Sequence, residues 1–168
     1  MNLQIRSEVA ADVDAIQALT VAAFQDAPHT AHTEQFIVAA LRRAGQLSVS
    51  LVAEDCGVIV GHVAISPVTI SDGARGWYGL GPISVAPDRQ GEGVGSQLMR
   101  AALDALRRLD AAGCVVLGEP SYYGRFGFRA DPSLRLPDVP AEYFQMTHFD
   151  GPMPTGTVAY HDAFNATA

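Results

Sequence analysis

Along the chain the hydrophobic positions change period several times, and each change marks an element. Leu3 to Arg6 alternates over a length that suits one strand. From Asp12 to Phe24, Val13, Ile16, Thr20, Ala23 and Phe24 recur at helical spacing, which predicts a helix capped by Asp12 or Asp14. The polar stretch QDAPHTAH (25–32) then reads as a loop, and a second helix is expected from near Thr33, carried by Phe36, Ile37, Ala40, Leu41 and Ala44 and ended by Gly45. Leu47 to Pro67 is rich in β-branched residues and broken at Glu54-Asp55-Cys56-Gly57, so it reads as two strands joined by a tight turn. After the turn signal SDGARG, Trp77 to Val85 makes a third strand of an antiparallel meander.

Three glycines follow at alternate positions, Gly91, Gly93 and Gly95, and then a long amphipathic helix. Val94, Leu98, Ala101, Ala102, Ala105, Leu106 and Leu109 share one side of it, while Gln97, Arg100, Asp104, Arg107 and Arg108 fall mostly on the other. Glycines let another molecule reach the backbone and permit positive φ. The first N–H groups of a helix have no partner within it, and they sit at the positive end of its dipole, so the turn is a candidate phosphate site. Gly113 is expected to end the helix, with Cys114 to Leu117 as a short parallel strand after it. The tail contains five prolines, yet AEYFQMTHF (141–149) and GTVAY (156–160) read as closing strands.

At 168 residues and 48% hydrophobic content, the chain suits a single domain spanning 1–168. Its net charge of −7 argues against nucleic-acid partners, and it suits a cationic substrate as well as plain solubility. No stretch approaches a membrane span, and the N-terminus lacks a signal pattern, so the expected location is the cytoplasm, with no membrane partner. Cys56 and Cys114 are isolated and lack metal-ligand spacing, which predicts reduced structural thiols and no metal site. A monomer or a homodimer fits these data.

The kind of phosphate site can be narrowed. A Walker A loop needs a lysine after its last glycine, but Gly95 is followed by Ser96 and Gln97. A dinucleotide fingerprint needs G-x-G-x-x-G directly after a strand, whereas position 96 is Ser and five residues, Ala86 to Gln90, intervene. Gln90-Gly91-Glu92-Gly93-Val94-Gly95 instead resembles the Q/R-x-x-G-x-G/A signature of the GNAT superfamily of N-acetyltransferases. The resemblance extends through LGPISVAPDRQGEGVG, VVLGEPSYYGRFGF and GTVAYHDAF, and it is greatest to a bacterial subgroup of predicted acetyltransferases.

That resemblance implies an α/β fold with a mixed, mostly antiparallel sheet flanked by helices, in which the fourth and fifth strands are parallel and splayed. It implies acetyl-CoA as co-substrate, held by Gln90, Gly91, Glu92, Gly93, Val94, Gly95 and Ser96 at the pyrophosphate and by Ile83, Ser84 and Val85 along the pantetheine arm. Pro82 is compatible with that splay, because a proline inside a strand has no N–H for the ladder and favours a bulge or a local parting of strands, an ordinary edge-strand proline being the alternative. GEPSYYGRFGF (118–128) resembles the family segment ending Y-x-x-x-G-F, which aligns Tyr123 with a tyrosine near the cofactor sulfur and leaves Tyr122 one residue off.

Acetyl transfer to an amine asks for a proton acceptor for the amine, a holder for the oxyanion and a donor for the leaving thiolate. Tyr123 is the candidate donor. The family's fourth-strand glutamate is missing from Trp77 to Val85, so Glu119 and Glu34 are the candidate bases, with Glu54 third and a water chain as the alternative. His62, alone within a strand, reads as a packed and hydrogen-bonded residue. The expected activity is acetyl transfer from acetyl-CoA to a primary amine of a small molecule or peptide by direct attack. A non-catalytic acyl-CoA-binding or sensing module is the alternative, and a nicotinamide-binding enzyme is a third reading.

Overall fold

The computed structural model describes residues 2–28 and 30–168. In chain order the regular elements are β1 (Leu3–Ser7), α1 (Val13–Phe24), α2 (Glu34–Arg43), β2 (Val49–Asp55), β3 (Val58–Pro67), β4 (Thr69–Ile70), β5 (Trp77–Val85), α3 (Val94–Arg108), β6 (Gly113–Leu117), α4 (Pro120–Tyr123), β7 (Leu134–Arg135), β8 (Phe144–His148) and β9 (Gly156–Ala159). The expected loop between α1 and α2 contains His29, which lies outside the described residues.

Six strands form the main sheet in the order β1-β2-β3-β5-β6-β8, and β4-β9-β7 make a small second sheet. All neighbours in the main sheet are antiparallel except β5 and β6. Side chains alternate across a strand, and β2 shows the result. Val49, Leu51 and Ala53 pack with Leu98, Met99, Ala102 and Leu106 of α3, whereas Val52 packs with Ile16 of α1 and Val38 of α2. Helix α3 therefore covers one face of the sheet, and α1 with α2 covers the other. Close approach of α3 depends on Gly61 of β3, where a Cβ would come within 2.8 Å of Leu98 and 2.9 Å of Val94.

The splay expected between the two parallel strands is present. β5 pairs with β6 only at Trp77–Gly113, Tyr78–Cys114 and Gly79–Val115, and beyond these Leu80, Ile83, Ser84 and Val85 pair with β3 alone. A register shift occurs where Ala64 stands opposite Gly81 and Pro82, which is the bulge anticipated from the proline. The two closing strands of the tail fall in different sheets, since β8 borders β6 while β9 joins β4 and β7.

Two local expectations are corrected. Asp12 sits at the N-cap of α1 but makes no capping bond there. Its buried carboxylate instead accepts from Arg6 Nη1 at 2.7 Å and from the Val9 N–H at 2.8 Å, because Arg6 on β1 lies within reach. Helix α3 is stopped by Asp110 and not by Gly113. Asp110 adopts φ 58°, and the N–H groups of Asp110 and Ala111 bond back to the carbonyls of Arg107 and Leu106, both at 3.1 Å. Gly113 is glycine for packing, since a Cβ there would lie 2.4 Å from the Trp77 ring.

Candidate functional site

The end of β5 that has no β6 partner, the start of α3 and the Tyr122–Arg125 turn border a cleft of about 430 Å³. Its lining includes all of the expected phosphate and pantetheine residues except Ser84 and Glu92. Gly91 and Gly93 adopt φ 80° and 87°, and Gly93 is the N-cap of α3, so this turn needs the left-handed conformation that glycine takes freely. The first turn of α3 carries no acidic residue, so no carboxylate within that turn compensates its orphan N–H groups. Gln90, exposed at the cleft, donates from Nε2 to the Val85 carbonyl at 3.2 Å.

Ser84 and Glu92 point elsewhere. Ser84 is 2% exposed, and its hydroxyl has no partner among the described residues. Its register partner is His62, on the face away from Ile83 and Val85. Glu92 pairs with Arg89 at 3.2 Å, and Arg89 also holds Asp55 at 2.7 Å.

The adjacent tyrosines diverge because successive residues of a helical turn point about 100° apart. Tyr122 lines the cleft, and its hydroxyl lies where a Cβ on Gly95 would be 2.8 Å away. Burial raises its phenol above the ordinary value, and the charge of Arg125 partly offsets this. Tyr123 lies behind it, edge-on to Tyr122 at 5.0 Å and to Phe128 at 6.1 Å, and does not line the cleft. Its ring covers Gly118, where a Cβ would come within 2.4 Å. Burial, with a contribution from Tyr122, pushes the Tyr123 phenol up to about 12, so it is neutral near pH 7.

The candidate bases are not assembled around the cleft. Both Glu34 oxygens lie 2.6 Å from Thr30 Oγ1 at the start of α2. Glu119 is exposed, and its carbonyl accepts the N–H groups of Tyr122 and Tyr123 at 3.1 Å, placing it at the entry to α4. Glu54 is held by Arg6 at 2.7 Å.

Sequence reasoning missed two groups near the cleft and one beyond it. Tyr160 packs its ring on Gly79, where a Cβ would lie 2.4 Å away, at the last paired position of β5 and β6. Arg125, exposed on the cleft wall, donates to Ser96 Oγ at 2.8 Å. On the opposite face of the sheet, Arg42 forks onto Glu8 at 2.9 Å, Ser50 bonds Glu8, and His62 Nε2 meets Ser50 Oγ at 2.8 Å. Burial alone would raise the Glu8 carboxyl, but His62, Arg42 and Ser50 outweigh it and hold the group well below the usual carboxylate range. His62 is thus buried and hydrogen-bonded, tying β3 to β2 and α2.

Among the described residues, no group of three His, Cys, Asp or Glu side chains is placed to hold a metal, and no helix is long and apolar enough to cross a membrane.

A family model for the acetyltransferase (GNAT) domain matches residues 4–130. The chain is 34% identical to the uncharacterized N-acetyltransferase YhbS of Escherichia coli K12, over 96% of this chain and 98% of that protein. A GNAT family acetyltransferase from Brucella melitensis, solved in complex with acetyl-CoA, superposes with a TM-score of 0.87 at 47% identity, over 97% of this chain and 98% of that one. The structure of Escherichia coli YhbS in complex with CoA superposes with a TM-score of 0.88 at 32% identity, over 100% and 94% of the two chains.

Proposed function

The chain belongs to the GNAT acetyltransferase family, and from that premise we propose that it moves an acetyl group from acetyl-CoA to a primary amine of a small molecule or peptide. The observation that carries this reading is the coincidence, in one cleft, of the glycine turn at the start of α3 with the unpaired edge of β5. Orphan N–H groups suit a pyrophosphate, and a strand edge with no neighbouring strand suits the amides of a pantetheine arm.

Acetyl-CoA supplies an activated thioester. In direct attack the amine nitrogen bonds the acetyl carbon, the carbon–sulfur bond breaks, and the amine's proton leaves to a base. Glu119 and Glu34 are the carboxylates proposed for that proton, and water serves where the substrate amine is already neutral. Tyr123, which packs behind Tyr122 and over Gly118, is the group proposed to reach the sulfur. With its phenol near 12 and an ordinary thiol near 8.5, full transfer to the thiolate is uphill by roughly 5 kcal/mol, so Tyr123 stabilises the leaving group as a hydrogen-bond donor. Alignment of the amine with the thioester supplies the rest of the acceleration, up to about 7 to 11 kcal/mol in well-oriented systems. Residues 1–168 act as one catalytic domain in the cytoplasm.

One observation favours a second reading. Strand β5 carries no carboxylate, as a non-catalytic acyl-CoA sensor would not need one. Release of CoA from acetyl-CoA, followed across a panel of primary amines, separates the two. The proposal expects saturable turnover above hydrolysis with at least one amine, and tight acetyl-CoA binding without turnover would favour the sensor.

A further inference from the structure

The cleft contains two arginines with different electrostatic standing. Arg89 is neutralised by Asp55 at 2.7 Å and Glu92 at 3.2 Å. Arg125 has no carboxylate within salt-bridge distance among the described residues, and it donates to a hydroxyl and lies over two aromatic rings. Its guanidinium lies 4.9 Å from the centre of the Tyr122 ring and 5.3 Å from that of Phe126. A second arginine shares the Phe126 ring, since Arg100 lies 5.6 Å from its centre and is likewise without an acid among the described residues. Arg100 is one helical turn after Ser96, so both project from the same side of α3.

Two guanidinium groups flanking one ring repel each other, and a chain of net charge −7 has acids to spare for compensating them. None is used here. Stacking on aromatic faces holds the planar forks in place while leaving their donors free, and such forks match phosphate oxygens. The phosphates at the glycine turn have helix N–H groups for partners, so a cationic pair one turn further along α3 suits a second, separate phosphate group.

We propose that Arg100 and Arg125, with the Ser96 hydroxyl, form a phosphomonoester subsite that reads the 3′-phosphate of CoA and so selects acetyl-CoA over its dephospho form. This rests on the acetyl-CoA reading of the cleft, and it adds specificity for one end of the molecule. Lysine at either position would keep the charge but lose the fork.

Calorimetric titration of the purified chain with CoA, dephospho-CoA and inorganic phosphate tests it. The expected result is CoA binding about tenfold or more tighter than dephospho-CoA, since a charge-assisted pair is worth that much. The gap closes in Arg125→Ala and Arg100→Ala, with dephospho-CoA affinity little changed. Equal binding of the two nucleotides by the unaltered chain, or a gap that survives in the double variant, overturns the subsite and leaves the cofactor reading intact. Inorganic phosphate binding as tightly as CoA assigns the arginines to a free anion and also overturns it. If neither nucleotide binds the unaltered chain, the acetyl-CoA reading fails, and the subsite with it.

Discussion

The two halves of β5 share a sheet and a direction but differ in what surrounds them. Tyr78 and Gly79 have β3 on one side and β6 on the other, and no space is left between the layers. A Cβ on Gly79 would lie 2.4 Å from Tyr160, and one on the neighbouring Gly113 would lie 2.4 Å from Trp77. From Leu80 to Val85 the strand keeps β3 but loses β6, and the turn beyond it holds Gly91 and Gly93, whose added Cβ atoms would meet nothing within 4 Å. Glycine serves both halves for different reasons. In the closed half neighbouring rings occupy its side-chain space, and in the open half the backbone needs positive φ and room for a ligand.

Breaking the closed half should cost the most. Gly79→Val forces two γ-methyls into the Tyr160 ring and is expected to lower stability by about 3 kcal/mol in urea denaturation. A loss below about 1 kcal/mol would show that Tyr160 can leave its seat. Behind the cleft, Tyr123→Phe is expected to lower kcat about 100-fold, the lower end for losing one hydrogen-bond donor to developing charge, while stability changes by less than about 1 kcal/mol. A fall in kcat matched by loss of stability would reduce Tyr123 to a packing residue.

The open half gives a sharper contrast. Gly95 lies in the first turn of α3, and an added Cβ would meet the Tyr122 hydroxyl at 2.8 Å and, in ordinary contact, Val85 Cγ2 at 3.7 Å. Gly95→Ala should leave stability unchanged or raise it by up to about 1 kcal/mol through helix propensity. It should weaken acetyl-CoA binding about tenfold, because the methyl group intrudes on the cleft. The smallest effect is seen only at high pH. Tyr123 keeps its proton to about 12 in the folded chain, whereas the unfolded phenol releases it near 10. Between those values the unfolded state binds fewer protons, so stability falls as pH rises, and Tyr123→Phe should flatten that slope in thermal melts.

Much of this organisation was legible beforehand because several elements repeat one period long enough to be read. The β2–β3 hairpin and α3 are examples, and Pro82 marks the bulge by its missing N–H. The two-residue strands β4 and β7 carry no periodicity and could not be seen. Gly113 reads as a helix stop because glycine usually is one, while the actual stop, Asp110, takes a left-handed conformation uncommon for aspartate. In the site, the glycine turn at the start of α3 was legible from local sequence alone. Arg125 was not, since its partner Ser96 lies 29 residues away, nor was the chain from Arg42 through Glu8 and Ser50 to His62, which depends on sheet register. Local patterns encode elements, whereas pairings between distant side chains need the fold.

Amide chemical shifts recorded while acetyl-CoA is titrated into the labelled chain test the central claim most directly. The cleft account expects saturable shifts at Ile83, Val85, Gly91, Gly93, Gly95 and Ser96, with Tyr78 and Gly79 nearly still. Saturable shifts centred elsewhere, with the glycine turn unmoved, would contradict it.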